Sequence, residues 1–119
     1  MRFLCLYKPG TPETDEPPTP EEFAKMGKLI DDMSKAGVLL ATEGCMPTSR
    51  GLRMRIDSGK ISVTDGPFAE TKELIQGFCM MQVKSKEEAV EWTKRFLNVV
   101  GEGVAEIRQL NDFSPTDAR

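Results

Sequence analysis

Two rhythms of apolar and polar positions alternate along the chain, and each change of rhythm marks the edge of an element. Arg2 to Lys8 is a short apolar run rich in β-formers and closed by Pro9-Gly10, which predicts a strand. The acidic, proline-rich stretch TPETDEPPTP follows and cannot form a regular element, so residues 9–19 are expected to be a flexible surface loop. Thr19-Pro20-Glu21-Glu22 then forms a capping box with proline at the first helical position, and Phe23, Met26, Ile30 and Met33 recur at steps of three and four. That spacing predicts an amphipathic helix, stopped at Gly37.

Val38 to Thr42 reads as a strand ended by Gly44 and Pro47. Beyond it, Leu52, Met54 and Ile56 alternate with Arg53 and Arg55 in the pattern of a half-exposed strand. The turn sequence Asp57-Ser58-Gly59-Lys60 pairs this strand with Lys60 to Thr64 in a hairpin. Gly77 to Lys84 is apolar on both faces. Ser85-Lys86-Glu87-Glu88 supplies a second capping box, with Ala89, Trp92 and Phe96 as a second apolar stripe. A last strand is expected over Val104 to Leu110, and the nine residues after it read as a frayed tail.

The order strand, helix, strand, hairpin, strand, helix, strand is that of a split βαβ: an α+β, ferredoxin-like domain with an antiparallel sheet and two helices on one face. Two helices cover one face only, yet FLCLY, VLLA and GFCMMQV are apolar on both. The uncovered face is expected to meet the sheet of a second copy, giving a twofold homodimer and a dimeric α+β barrel. A chain of 119 residues suits a single domain spanning 1–119.

Composition narrows the function classes. With 16 Lys and Arg against 19 Asp and Glu the net charge is -3, which offers no field to gather phosphate backbones, so no direct nucleic-acid partner is expected. No apolar run approaches the ~20 residues that span a bilayer, and the apolar N-terminus is too short for a signal peptide, so no membrane partner and a cytoplasmic location are expected. Cys5, Cys45 and Cys79 are odd in number and far apart, which fits neither a disulfide framework nor a zinc site; they read as small buried apolar residues. The chain contains no histidine, which removes the usual neutral-pH base, the commonest transition-metal ligand and every Ser-His or Cys-His nucleophile. No metal site is expected. Neither a Gly-x-Gly-x-x-Gly nor a P-loop pattern is present, and no cofactor is expected.

The candidate chemistry gathers around VTDGPFAETKELIQGF, Val63 to Phe78. Asp65 stands before Gly-Pro, where its carboxylate either holds the turn through backbone amides or, set beside Arg53 or Arg55, acts as a general base or ligand anchor. Arg53 and Arg55 share one strand face and can grip a carboxylate or phosphate; the competing reading is a charge ladder with Glu43, Glu70 or Glu106. Glu70, Thr71, Lys72 and Glu73 follow the turn as a solvated charge run or as an anion-binding rim. Tyr7 offers a hydroxyl either to a pocket or to core packing. Cys45 reads as a buried spectator, and Met26, Met33, Met80 and Met81 as apolar filler.

From Pro18 to Leu110 the chain resembles the YCII-related family, and within it the DGPF branch. The AGVLL and EG segments, the alternating Arg53 and Arg55, DGPFAETKE and the closing EIRQ carry the likeness. The resemblance implies a ferredoxin-like dimeric α+β barrel. Some members of the family are joined to sigma factors of the extracytoplasmic type, which implies a link to transcription. In the other branch a helical His and an Asp near the second helix suggest an enzyme. Aligned on Gly37, that His falls close to Met26 here, and its chemistry does not transfer.

Two functions follow as expectations. The first is a small-molecule binding protein or enzyme, with a pocket near the DGPF turn or the dimer seam formed by Asp65, Arg53, Arg55, Glu43, Glu70, Lys72 and Tyr7. The second is a non-catalytic interaction module tied to sigma-factor-dependent transcription. A concave pocket with converging polar groups marks the first; a sealed core with an exposed apolar patch marks the second.

Overall fold

A computed structural model describes residues 1–69 and 74–113. The elements run β1 (Arg2–Pro9), α1 (Pro20–Lys35), β2 (Leu39–Gly44), β3 (Leu52–Asp57), β4 (Lys60–Asp65), β5 (Gly77–Gln82), α2 (Lys86–Val100) and β6 (Gly103–Gln109), with one 3₁₀ turn at Thr48–Arg50. Both helices begin as their capping sequences dictate. The Thr19 hydroxyl accepts from the Glu22 amide at 3.2 Å, and the Ser85 hydroxyl from the Glu88 amide at 3.1 Å. The return bond of the second box goes one residue further back, where the Glu88 carboxylate accepts from the Lys84 amide at 3.0 Å. Gly37 takes φ +74 where α1 ends, a conformation open to glycine at little cost.

Four strands form one antiparallel sheet in the order β2-β5-β1-β6, the ferredoxin-like arrangement. Alternation along β1 sends Phe3, Cys5 and Tyr7 toward the helices, where they are buried. Phe3 and Cys5 cluster with Leu29 and Met33 of α1, Ala89 of α2, and Met81 and Val83, with Trp92 and Phe96 packed at the margin. The expected α1 stripe is therefore shifted: Leu29 is in the core, while Phe23 is 63% exposed. Helical spacing alone does not say where along its length a helix leaves the sheet.

Cross-strand register defines the opposite face. Leu4 lies between Met80 and Arg108, and Leu6 between Phe78 and Glu106, with Glu43 beyond Phe78. Leu4, Leu6, Phe78 and Met80 are only half-buried because no layer among the described residues covers them.

The hairpin β3-β4 does not join that sheet; it is a two-stranded ribbon of its own. Every residue of both strands is exposed, so the half-buried strand expected from the Leu52–Ile56 alternation is not formed within one chain. The alternation is real, but its apolar side faces water.

Candidate functional site

The DGPF turn closes the base of this arm and is held by a hydrogen-bonded clamp. Pro47 leads into the 3₁₀ turn, which places the Thr48 carbonyl and hydroxyl against the returning chain. The Thr48 hydroxyl accepts from the Phe68 amide at 3.1 Å and donates to a Glu13 carboxylate oxygen at 2.6 Å. The other Glu13 oxygen accepts from the Thr48 amide at 2.9 Å. The Gly66 amide donates to the Gly51 carbonyl at 3.0 Å, and the Gly66-Pro67 peptide is cis. Glu13 thus ties the acidic loop to the arm through both carboxylate oxygens. It carried no sequence signal beyond belonging to a proline-rich run, because its partner lies 35 residues away.

Pairing along the ribbon sorts the candidate residues. Arg53 opposes Thr64, Arg55 opposes Ser62 and Asp57 opposes Lys60, so these six share one face. Leu52 opposes Asp65, Met54 opposes Val63 and Ile56 opposes Ile61 on the other face. Arg53 lies over the Phe68 ring, its guanidinium carbon 4.0 Å from the ring centroid, a cation-π contact that anchors the arginine ladder to the DGPF turn. Arg55 is exposed and has no ion pair among the described residues. The arrangement gives two guanidinium groups and two hydroxyls in a row, a set of donors matched to an anion.

Asp65 is not part of that row. It sits at the end of β4 on the apolar face, turned away from both arginines, so the carboxylate expected beside them is not assembled. A strand's period of two decides this, since 65 pairs with 52 and not with 53.

A family model for the YCII-related domain matches residues 1–114. The chain belongs to the YCII-related family. It is also 34% identical over 82 residues to an uncharacterised protein, R00369, of Rhizobium meliloti (strain 1021); the match takes in 68% of this chain and 66% of the relative, just under two thirds of that protein's length.

In this YCII-related chain the remaining candidates separate from the ladder. The Tyr7 hydroxyl donates to the Glu102 carbonyl at 2.8 Å and its ring meets Phe96 edge-on at 5.4 Å, so Tyr7 closes the core near the start of β6. Glu43 is exposed on the outer sheet face beside Phe78. Glu106 is engaged by Lys8 and Arg108, both at 3.2 Å, and is not a rung for Arg53 or Arg55. Glu70 and Lys72 lie outside the described residues. Cys45 is exposed at the foot of the arm, contrary to the buried position expected for it, because β2 ends at Gly44 and the chain emerges there. Cys5 is buried and Cys79 partly so.

The cavities of the YCII-related fold are small where they are enclosed. Between helices and sheet, beside Cys5, Cys79 and Trp92, about 20 Å³ is open, little more than a water. A cleft of about 50 Å³ lies under the arm's foot between Glu13, Cys45, Pro47 and Gln76. A wide depression of about 680 Å³ opens beside Lys8, Gly10, Thr11 and Gly103. Among the described residues no three Cys, Asp or Glu side chains gather as a metal would require, and no helix is long and apolar enough to cross a membrane.

Proposed function

We propose that this YCII-related protein works as a twofold dimer that binds a small anionic molecule, a carboxylate or a phosphate, on the arginine ladder of its arm. The observation that carries the reading is the shared face of Arg53, Arg55, Ser62 and Thr64, with Arg53 braced on Phe68. Guanidinium pairs two residues apart on a strand present their donors in parallel, the geometry that planar and tetrahedral anions accept. The dimer supplies the cover that the outer sheet face lacks in one chain.

Calorimetric titration with small dicarboxylates and phosphate monoesters tests it, on the wild type and on Arg55→Ala. The expected result is a bound anion whose affinity drops at least about tenfold in the variant, the usual cost of losing a charged hydrogen-bonding partner. Heat changes that are flat across both anion classes overturn the reading. They would favour a second one, an interaction module of the kind joined to transcription factors, to which the nearly sealed core and the bare apolar arm lend support.

A further inference from the structure

The apolar face of the arm is the most conspicuous feature that anion binding leaves unused. Leu52 is 55% exposed, Met54 65%, Ile56 70%, Ile61 65% and Val63 57%, all on one side of a two-stranded ribbon. Together they present several hundred Å² of apolar surface, at the upper end of what a monomer leaves in water. A lone hairpin is marginal in water, so this ribbon needs a surface to lie on. Its own sheet does not provide one. The foot of the arm is fixed by Thr48, Glu13, Gly51 and Gly66, and that clamp holds both strands clear of the four-stranded sheet.

We infer that the arm's apolar face docks on the outer sheet face of a second copy of the chain, and that the two copies exchange arms across the twofold axis. This rests on the dimer proposed above and says how it is held. The receiving face is defined by register: Leu4, Leu6, Phe78 and Met80 at its centre, with Val104, 60% exposed, at one margin. Area favours a second copy over a foreign protein. A foreign partner on the arm leaves the sheet face bare, whereas a twofold exchange covers both surfaces twice. Four patches of several hundred Å² reach the roughly 1,600 Å² of a stable interface.

The test is sedimentation velocity over a concentration series on the full chain, comparing the wild type with Met54→Lys/Ile61→Lys. Both positions are solvent-exposed in the single chain, so the variant should keep the wild-type far-UV spectrum and a cooperative melt. The expected result is a dimeric wild type and a variant whose dimer dissociation constant rises at least about tenfold, as burial of two unpaired ammonium groups demands. A smaller rise overturns arm exchange while leaving the dimer standing. A wild type that is monomeric at micromolar concentration overturns both. A variant that loses its cooperative melt places the arm inside the monomer core and also overturns the exchange. A wild-type monomer that sediments only with an added protein assigns the arm to a foreign partner.

Discussion

Gly66 rests against the carbonyl of Thr48 so closely that a Cβ at position 66 would overlap that oxygen and stand 2.6 Å from its carbon. The contact is backbone on backbone, and neither side is a flexible side chain that can turn aside. The glycine of the DGPF turn is therefore a packing requirement, and with the Gly66-to-Gly51 hydrogen bond it sets where the arm leaves the body.

Gly66→Ala should force the 3₁₀ turn and the DGPF turn apart. The expected loss is at least about 3 kcal/mol, the scale of overpacking where the backbone must move. Urea unfolding followed by tryptophan fluorescence of Trp92 measures it. A loss below about 1 kcal/mol would mean that the two turns separate freely and that the arm is not rigidly mounted.

The Glu13–Thr48 clamp predicts a coupling between the acidic loop and the arm. Glu13→Gln keeps the shape but weakens acceptance from the Thr48 amide and hydroxyl; Thr48→Val removes the hydroxyl that joins Glu13 to Phe68. Each single change should cost about 1–2 kcal/mol, and the double variant less than their sum by about 1 kcal/mol, because one interaction is removed twice. A double-mutant cycle in urea gives the coupling directly. Strict additivity would show that the loop and the arm do not meet in solution.

Most of the fold was legible because its signals are local. The two capping boxes mark both helix starts, and turn residues at Gly37 and Asp57–Lys60 mark the breaks. Strand order followed from element order. What sequence could not reveal depends on distance or on exposure. Glu13 finds Thr48 across 35 residues, and Leu52, Met54 and Ile56 look like any half-buried strand until the sheet forms without them. The arginine ladder was legible from the spacing of 53 and 55, but Ser62 and Thr64 joined it only once the hairpin register was fixed. The same register puts Asp65 opposite Leu52, on the other face.

Asp32 joins the two helices and should make their packing sensitive to acid. Its Oδ2 accepts from Arg95 of α2 at 2.6 Å and from Lys28 of α1 at 3.3 Å, and these bonds, Arg95's first, hold its carboxyl below the ordinary 3.8. A carboxyl depressed in the folded state contributes stability that is present above its unfolded pKa and is lost as pH falls through the folded one. Asp32→Asn should therefore lower Tm at pH 7, and the gap to the wild type should close as the pH falls below the ordinary 3.8. Because the site is solvent-accessible the effect is modest and weakens in salt. A gap that stays constant through acid titration would show that the carboxylate is not the stabilising species.

The three thiols should divide sharply in reactivity. Cys5 and Cys79 face each other on adjacent strands β1 and β5, beneath the helices. Burial raises the Cys5 pKa, only partly offset by its contact with the Thr93 hydroxyl. Burial, with a smaller contribution from Cys5, pushes Cys79 up to about 11. The thiolate is the species that reacts, and at pH 8 a thiol of that pKa is ionised to about one part in a thousand. Cys45 is exposed at the foot of the arm, where a reagent reaches it directly. Iodoacetamide at pH 8 should add one carbamidomethyl group to the native chain, on Cys45, with Cys5 and Cys79 modified only in denaturant. Peptide mapping by mass spectrometry reads the order. If native Cys79 is alkylated as fast as Cys45, the helix layer does not shield the sheet, and the packing of Trp92 and Phe96 over β5 is wrong.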